Sequence, residues 1–340
     1  MTFPTSPQTL TCEWLSSALN AHVRDFTVAY FAEGAGIMGM VTRLHLDTPD
    51  GPDTVIAKFP SPAEENRAVA GVYDMYGREL NFYQRFAPHI ELRVPQCYHA
   101  EINAESGEFI LIMEDLTDFT IGDQVTSCSA RQAEMVIEGI ANLHASTWNT
   151  DDALLSQNNP AQSAGMQAGF EMGWPVICRQ FPELIPAAVA DVAATLPTHV
   201  PRLLEQMCQA PICAVHGDVR LDNIFFNDNE IALVDWQGFC TSAPEQDLAY
   251  FVTQSLSDEV RQSRDWVAFY HQHLTAAGVD YDLQQCRERY RVSALYLLCY
   301  ATVIAGTLDL GNERGVLLGK TLFGNSMRSL MELKAFDLIG

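Results

Sequence analysis

The sequence predicts an α+β fold in two lobes, a small β-rich N-terminal lobe followed by a larger, mostly helical one. Strand-like runs separated by turn residues occupy 26–59 and 94–113. Helical periodicity dominates after residue 118. A strand–loop–strand stretch at 212–236 interrupts those helices with a dense polar run. With 340 residues and 48% apolar content the chain can bury a sizeable core, as two domains or two lobes. The change of character at 114–118 divides it into 1–115 and 116–340.

In the first lobe, residues 9–20 read as a short helix with Trp14, Leu15, Ala18 and Leu19 on one face. Residues 26–32 are strand-like, and a glycine-rich turn comes next at 34–39. Residues 40–46 and 54–59 read as two further strands, separated by a loop of Asp, Pro and Gly. Residues 63–87 have a helical pattern punctuated by Gly71 and Gly77, and 94–100 and 109–113 complete the strands. In the second lobe 130–147 is amphipathic, with Met135, Ile137, Ile140, Ala141 and Leu143 as its buried stripe. Residues 149–165, rich in Asp, Asn, Ser and Gln, read as a loop or insertion.

The net charge of −23 argues against nucleic acid or an anionic membrane surface as a partner, since both would be repelled. It is compatible with a cationic ligand, although solubility alone is the plainer reading. Nine cysteines stand singly, without the spacing of a zinc site or a disulfide framework, and read mostly as buried free thiols. The N-terminus lacks the basic start and apolar core of a signal peptide. The longest apolar stretch, 294–308, is short of the ~20 residues a membrane span needs. A cytoplasmic protein, monomer or homodimer, is expected.

Four sets of residues carry chemistry. Gly34, Gly36 and Gly39 fit G-x-G-x-x-G, a weak signal shared by two folds. A dinucleotide-binding unit would need a helix after the glycines, and an oxidoreductase reading depends on it. Here β-forming residues come instead, so the pattern reads as a hairpin. Lys58, one of only three lysines, ends an apolar strand, where an ammonium is costly unless paired. Glu79 is the candidate partner; Glu64 and Glu65 come too soon after the strand. A water-exposed lysine head and a solvated glutamate are the plain alternatives. The third set is the run from Val215 to Phe226, with His216, Asp218, Arg220, Asp222 and Asn223. The fourth is Asp235-Trp236-Gln237, after a short apolar strand.

His-x-Asp, an Asn five residues after that Asp, and a second Asp beyond a strand resemble the catalytic plan of kinases. The glycine pattern extends to Val41 as it does there. Together with Leu116 and Leu143-His144-Ala145, the chain resembles the aminoglycoside phosphotransferase/choline kinase superfamily over roughly 25–310, and most of all its ecdysteroid-kinase-like (CHK) branch. The resemblance implies a bilobal protein-kinase-like fold with ATP between the lobes, and 112–116, including Glu114 and Leu116, as the hinge meeting adenine. It gives Lys58 the α- and β-phosphates and Glu79 as its partner. Asp218 would orient the acceptor hydroxyl and take its proton, and Arg220 would touch the transferred phosphate. Asn223 and Asp235 would offer hard oxygens to Mg²⁺. His216 would hold the loop, and Asp247 would brace it from a helix.

Three departures from protein kinases point to a small-molecule acceptor. Gly217 replaces the arginine of His-Arg-Asp, Trp236-Gln237 replace Phe-Gly, and only 11 residues separate Asp235 from Asp247, too few for a peptide-docking segment. The acceptor is an alcohol: amino-alcohol, amino-sugar, sterol-like compound or antibiotic. Trp148, Trp174, Trp236, Tyr296 and Tyr300 could cage a quaternary ammonium or serve as core; Asp309 and Glu313 could face an amine or cap a helix. The alternative to an enzyme is a nucleotide-binding pseudokinase or scaffold.

Overall fold

The structure, a computed structural model, describes residues 3–31, 38–150, 155, 163–307 and 313–340. The chain forms two compact units. Met1–Phe119 and Ala232–Gly238 make the first, and Thr120–Ile231 with Phe239–Gly340 the second. Where the sequence suggests one cut after residue 115, the chain therefore returns once to the first unit, with the segment that carries Asp235.

The first unit opens with α1 (Cys12–Leu19), capped by the Thr11 side chain. Its sheet holds β1 (Asp25–Tyr30), β2 (Gly39–Asp47), β3 (Thr54–Pro60), β4 (Cys97–Ile102) and β5 (Phe109–Glu114), in the order β1-β2-β3-β5-β4 with antiparallel neighbours. Period-two alternation sets its faces. Val55, Ala57 and Phe59 of β3 join Leu15, Leu44, Ile110 and Ile112 in one core cluster. Lys58 lies between them in sequence and so points to the other face, opposite Val41 on β2 and Leu111 on β5.

The single helical pattern at 63–87 is in fact broken. α2 (Glu64–Val72) ends at Tyr73, and α3 (Met75–Asn81) restarts after Asp74, whose φ is +50°. A wide π turn at Phe82–Phe86 succeeds it. The left-handed residue changes the chain direction, and α3 carries Glu79, fully buried, together with buried Leu80 and Tyr76.

In the second unit the two-residue β6 (Thr120–Ile121) precedes α4 (Ala130–Ser146), which starts at a capping box of Ser129 and Gln132. Its buried stripe is Ala133, Val136, Ile137, Ile140, Ala141, Leu143 and His144. Met135, expected there, is only half-buried, one position off the face that Val136 fills. Then come α5 (Ser163–Gln180), α6 (Ala190–Ala194) and α7 (Leu196–Met207). Four short strands are next: β7 (Cys213–Val215), β8 (Ile224–Phe226), β9 (Ile231–Leu233), whose last two residues already belong to the first unit, and β10 (Cys240–Ser242). α8 (Glu245–Tyr250), α9 (Asp258–Gln262), α10 (Trp266–Ala276), α11 (Leu283–Thr307) and α12 (Glu313–Glu332) complete the unit. Among the described residues no helix is long and apolar enough to cross a membrane. All nine cysteines are free thiols; four are buried and Cys178 is exposed, so burial is less general than expected.

α5 and α11 cross with their backbones almost touching. A Cβ at Gly173 would lie 2.6 Å from the Thr302 carbonyl oxygen, and one at Gly306 would lie 2.5 Å from Gly173 Cα. Glycine is the one residue that permits this approach. Gly173→Ala should therefore destabilise the fold by about 1–3 kcal/mol through overpacking. A lower urea midpoint at unchanged slope would show it; an unchanged midpoint would mean that the helices separate freely.

Candidate active site

The first unit brings together the lysine, the helix glutamate and the aspartate that sequence reasoning singled out. Lys58 Nζ lies 2.7 Å from Glu79 Oε2 and 2.8 Å from Asp235 Oδ1. Glu79 is fully buried, so the solvated alternative fails; Glu64 and Glu65 are exposed. Burial alone would lower the Lys58 pKa, but the charges of Asp235 and Glu79 outweigh it and hold the ammonium protonated. Burial pushes the Glu79 carboxyl up and Asp235 adds to this, while Lys58 opposes both. One ammonium thus faces two carboxyl groups.

The return segment grips α3 at two further points. Gln237 Nε2 donates to Glu79 Oε2 at 3.3 Å. The Trp236 ring stacks on Phe82, centroids 3.5 Å apart and planes 7° from parallel. Asp235 itself has a φ of +65°, a left-handed backbone that costs of order 1–3 kcal/mol and persists where its surroundings over-determine it. Gly39 borders the cluster, since a Cβ there would sit 3.5 Å from Lys58 Cε. Gly34 and Gly36 lie outside the described residues. Gly39 opens strand β2 and not a helix, which removes the dinucleotide reading.

At the expected hinge, Glu114 pairs with Arg93 and accepts from the Gln96 amide, and Asp115 pairs with Arg43 at 2.6 Å. Both side chains are committed to the protein, and Leu116 is buried.

In the second unit the loop expected to be catalytic runs from β7 to β8. Asp247, fully buried on α8, accepts from the His216 amide at 2.7 Å and the Gly217 amide at 2.9 Å. His144 on α4 meets Asp247 Oδ2 through Nε2 at 3.2 Å and the Tyr270 hydroxyl through Nδ1 at 2.6 Å. Burial would raise the Asp247 carboxyl, but the His144 hydrogen bond, the neighbouring histidines and the Gly217 amide bring it below the ordinary aspartate value. His216 Nδ1 accepts the Asp218 amide at 3.2 Å, so the ring serves the loop.

Asp218 is the most open member, its side chain 31% exposed. Asn223 Nδ2 donates to Asp218 Oδ2 at 2.9 Å and to its carbonyl at 3.0 Å, which leaves the Asn223 oxygen for another ligand. Arg220 Nε stands 3.5 Å from Asp218 Oδ2. Tyr250 hydrogen-bonds to Asp218, and burial with that carboxylate's charge pushes the phenol far above its usual range. Asp222 accepts the backbone amide of Gln124 at 3.1 Å.

Sequence reasoning missed Tyr250, Tyr270 and Gln124, and knew His144 only through a family motif. Their partners lie tens of residues away in sequence, beyond any local spacing. The five aromatics read as cage or core make the ring contacts of packing. Trp148 meets Tyr281, Trp174 stacks on Phe170, Trp236 stacks on Phe82, and Tyr296 packs on Tyr300. Asp309 lies outside the described residues, and Glu313 is exposed at the start of α12.

A two-unit α+β chain with a paired strand lysine and a braced His-Gly-Asp loop has the architecture of a protein-kinase-like phosphotransferase. The chain belongs to the ecdysteroid kinase-like family, whose model matches residues 33–280. This places it in the aminoglycoside phosphotransferase/choline kinase superfamily and supports small-molecule phosphotransferase activity in general. No match was found among curated proteins. Solved structures share the fold. One, from Ralstonia eutropha JMP134 and provisionally named an aminoglycoside phosphotransferase, is 15% identical with TM-score 0.58, covering 96% of this chain and 97% of that one. An ethanolamine kinase from Plasmodium vivax is 12% identical with TM-score 0.54, covering 89% and 83%. A macrolide 2'-phosphotransferase from Brachybacterium faecium is 16% identical with TM-score 0.50, covering 91% and 96%.

The depressed Asp247 carboxyl sets an acid limit. A group whose folded pKa lies below its ordinary 3.8 stabilises above that value and loses its contribution as pH falls through the folded one. Asp247→Asn should therefore cost about 3–5 kcal/mol at neutral pH, by opening a buried ionic cluster. The gap to wild type should close in strongly acidic solution. Urea unfolding at a series of pH values would measure it; a gap that stays constant with pH would contradict the assignment.

Proposed function

We propose that the chain transfers the γ-phosphate of ATP to a hydroxyl of a small-molecule alcohol. The observation that carries this reading is Asp218: a partly exposed carboxylate oriented by Asn223, on a loop pinned at His216 and Gly217. Phosphoryl transfer asks for such positioning and for charge neutralisation more than for covalent chemistry.

In this reading Asp218 accepts a hydrogen bond from the acceptor hydroxyl and takes its proton as the oxygen attacks the γ-phosphorus. The new O–P bond forms while the bond to the β-phosphate oxygen breaks, and ADP leaves. Arg220, beside Asp218, meets charge on the transferred group. Lys58, held by Glu79, serves the α- and β-phosphates.

Among the described residues no group of three or more His, Cys, Asp or Glu side chains is placed to hold a metal ion. Mg²⁺ does not require one, since it takes one or two protein oxygens and completes its shell with water and phosphate. Asp235 and Asn223 each carry a side-chain oxygen of that kind. When bound, Mg²⁺ would neutralise phosphate charge.

The acceptor lies among hydroxylated small molecules: amino-sugars, choline-like amino-alcohols, sterol-like alcohols, macrolides. The solved relatives named for aminoglycoside, ethanolamine and macrolide chemistry motivate that range. The test is Mg·ATP-dependent ADP release across such a panel. Asp218→Asn should lower turnover by about 10²–10⁴-fold, the usual worth of a general base, while nucleotide still binds. Asp235→Ala should weaken Mg·ATP binding itself, read by calorimetry. Equal turnover in Asp218→Asn would remove the assigned base. A wild type that binds Mg·ATP tightly yet turns over no member would favour the scaffold alternative.

A further inference from the structure

The front of the catalytic loop has an anchor in Asp247, and the back has one that no motif announces. We infer that Gln124 is a positioning residue for phosphotransfer, its buried amide oxygen fixing the turn that carries Asn223. This rests on the phosphotransferase reading above.

The turn Leu221–Asn223 begins with a backbone donor, the Leu221 N–H, of the kind that lacks a partner within its own turn. Gln124 Oε1 accepts it at 2.8 Å, from 97 residues away in sequence. The same oxygen accepts the Ser255 hydroxyl at 3.0 Å, and Nε2 donates to the Gln254 carbonyl at 2.8 Å. A backbone N–H on one side and a carbonyl on the other admit one orientation of the amide. Gln124 is fully buried, where each of these bonds is strengthened and none can be traded for water.

The backbone leading into Gln124 tracks the same loop. Thr120 pairs with Phe226 and Ile121 with Phe225, the Gly122 amide donates to Ile224 O at 2.8 Å, and the Gln124 amide donates to Asp222 Oδ1 at 3.1 Å. A Cβ at Gly122 would come 2.6 Å from Leu221 O, so the segment lies as close as backbone allows. Residues 120–124 thus form a template for 221–226. Asn223 sits on that templated turn and holds the Asp218 carboxylate, so the geometry of the base depends on Gln124 through two hydrogen bonds.

Two variants separate positioning from mere filling. Gln124→Glu keeps an acceptor for Leu221 at the cost of burying an acid. Gln124→Met keeps the volume and apolar fit but offers no acceptor. Positioning predicts that Met lowers kcat by about 10–100-fold, the usual loss for a group that orients a reacting residue, and that Glu lowers it less despite a lower Tm. A filling role predicts the reverse order, with Met active and Glu impaired, and that result overturns the inference. Should Gln124→Glu not fold, Gly122→Ala replaces it: pressing on Leu221 O, it should lower kcat like Met. Amide hydrogen exchange over 219–223 is read in parallel and needs no turnover. If wild type proves inactive, the phosphotransferase reading fails by itself. Faster exchange at Leu221 in Met but not in Glu would still establish that Gln124 holds the loop; unchanged exchange in Met would overturn that too.

Discussion

An ammonium among the apolar side chains of a β-sheet persists only where opposite charge reaches it, and Lys58 is met by two carboxylates. Much of the first unit is arranged around that constraint. Glu79 arrives because the chain breaks its helix at Asp74 and restarts it in a new direction as α3. Asp235 arrives because 232–238 leave the second unit's run of sequence to join the first. The Trp236–Phe82 stack and the Gln237–Glu79 hydrogen bond fasten that returning segment to α3. The left-handed backbone of Asp235 is held by contacts on both sides, through its own carboxylate and through the next two side chains.

The second unit uses a different device for a similar end. There Asp218, the base in the proposed reaction, stays partly open, and the burial falls on its supports. Asp247 is satisfied by two loop amides and His144, and Gln124 by groups from the loop and the turn after α8. Fully satisfied buried polar networks are rigid because any displacement leaves a group unpaired. The exposed carboxylate inherits its orientation from neighbours that cannot move.

How much the sequence made legible depends on how local each signal is. The His216–Asn223 run, Asp235 and the strand lysine were readable because each stands out locally: a dense polar run, an Asp after a short apolar strand, and a rare lysine ending another strand. The strands 40–46 and 54–59 were readable from alternation and turn residues, and they correspond to β2 and β3. The broken helix was not, because an Asp in left-handed conformation leaves no mark in hydrophobic periodicity. Gln124, Tyr250 and Tyr270 were invisible for another reason. A lone glutamine or tyrosine acquires meaning only when the fold brings its partner from a distant stretch of chain. The five aromatics show the same limit: sequence left cage and core both open, and their ring contacts are those of packing.

The glycine contact between α5 and α11 bears on how this chain can diverge. The atoms that a side chain at Gly173 would strike belong to the backbone of α11, and those facing Gly306 belong to the backbone of α5. The nearest atoms are backbone, so trimming a neighbouring side chain does not relieve the shortest contact at either glycine. The crossing point is a fixed pivot on the path of sequence drift. Exposed positions away from it are not bound by this contact, while the close approach of the two long helices depends on both glycines.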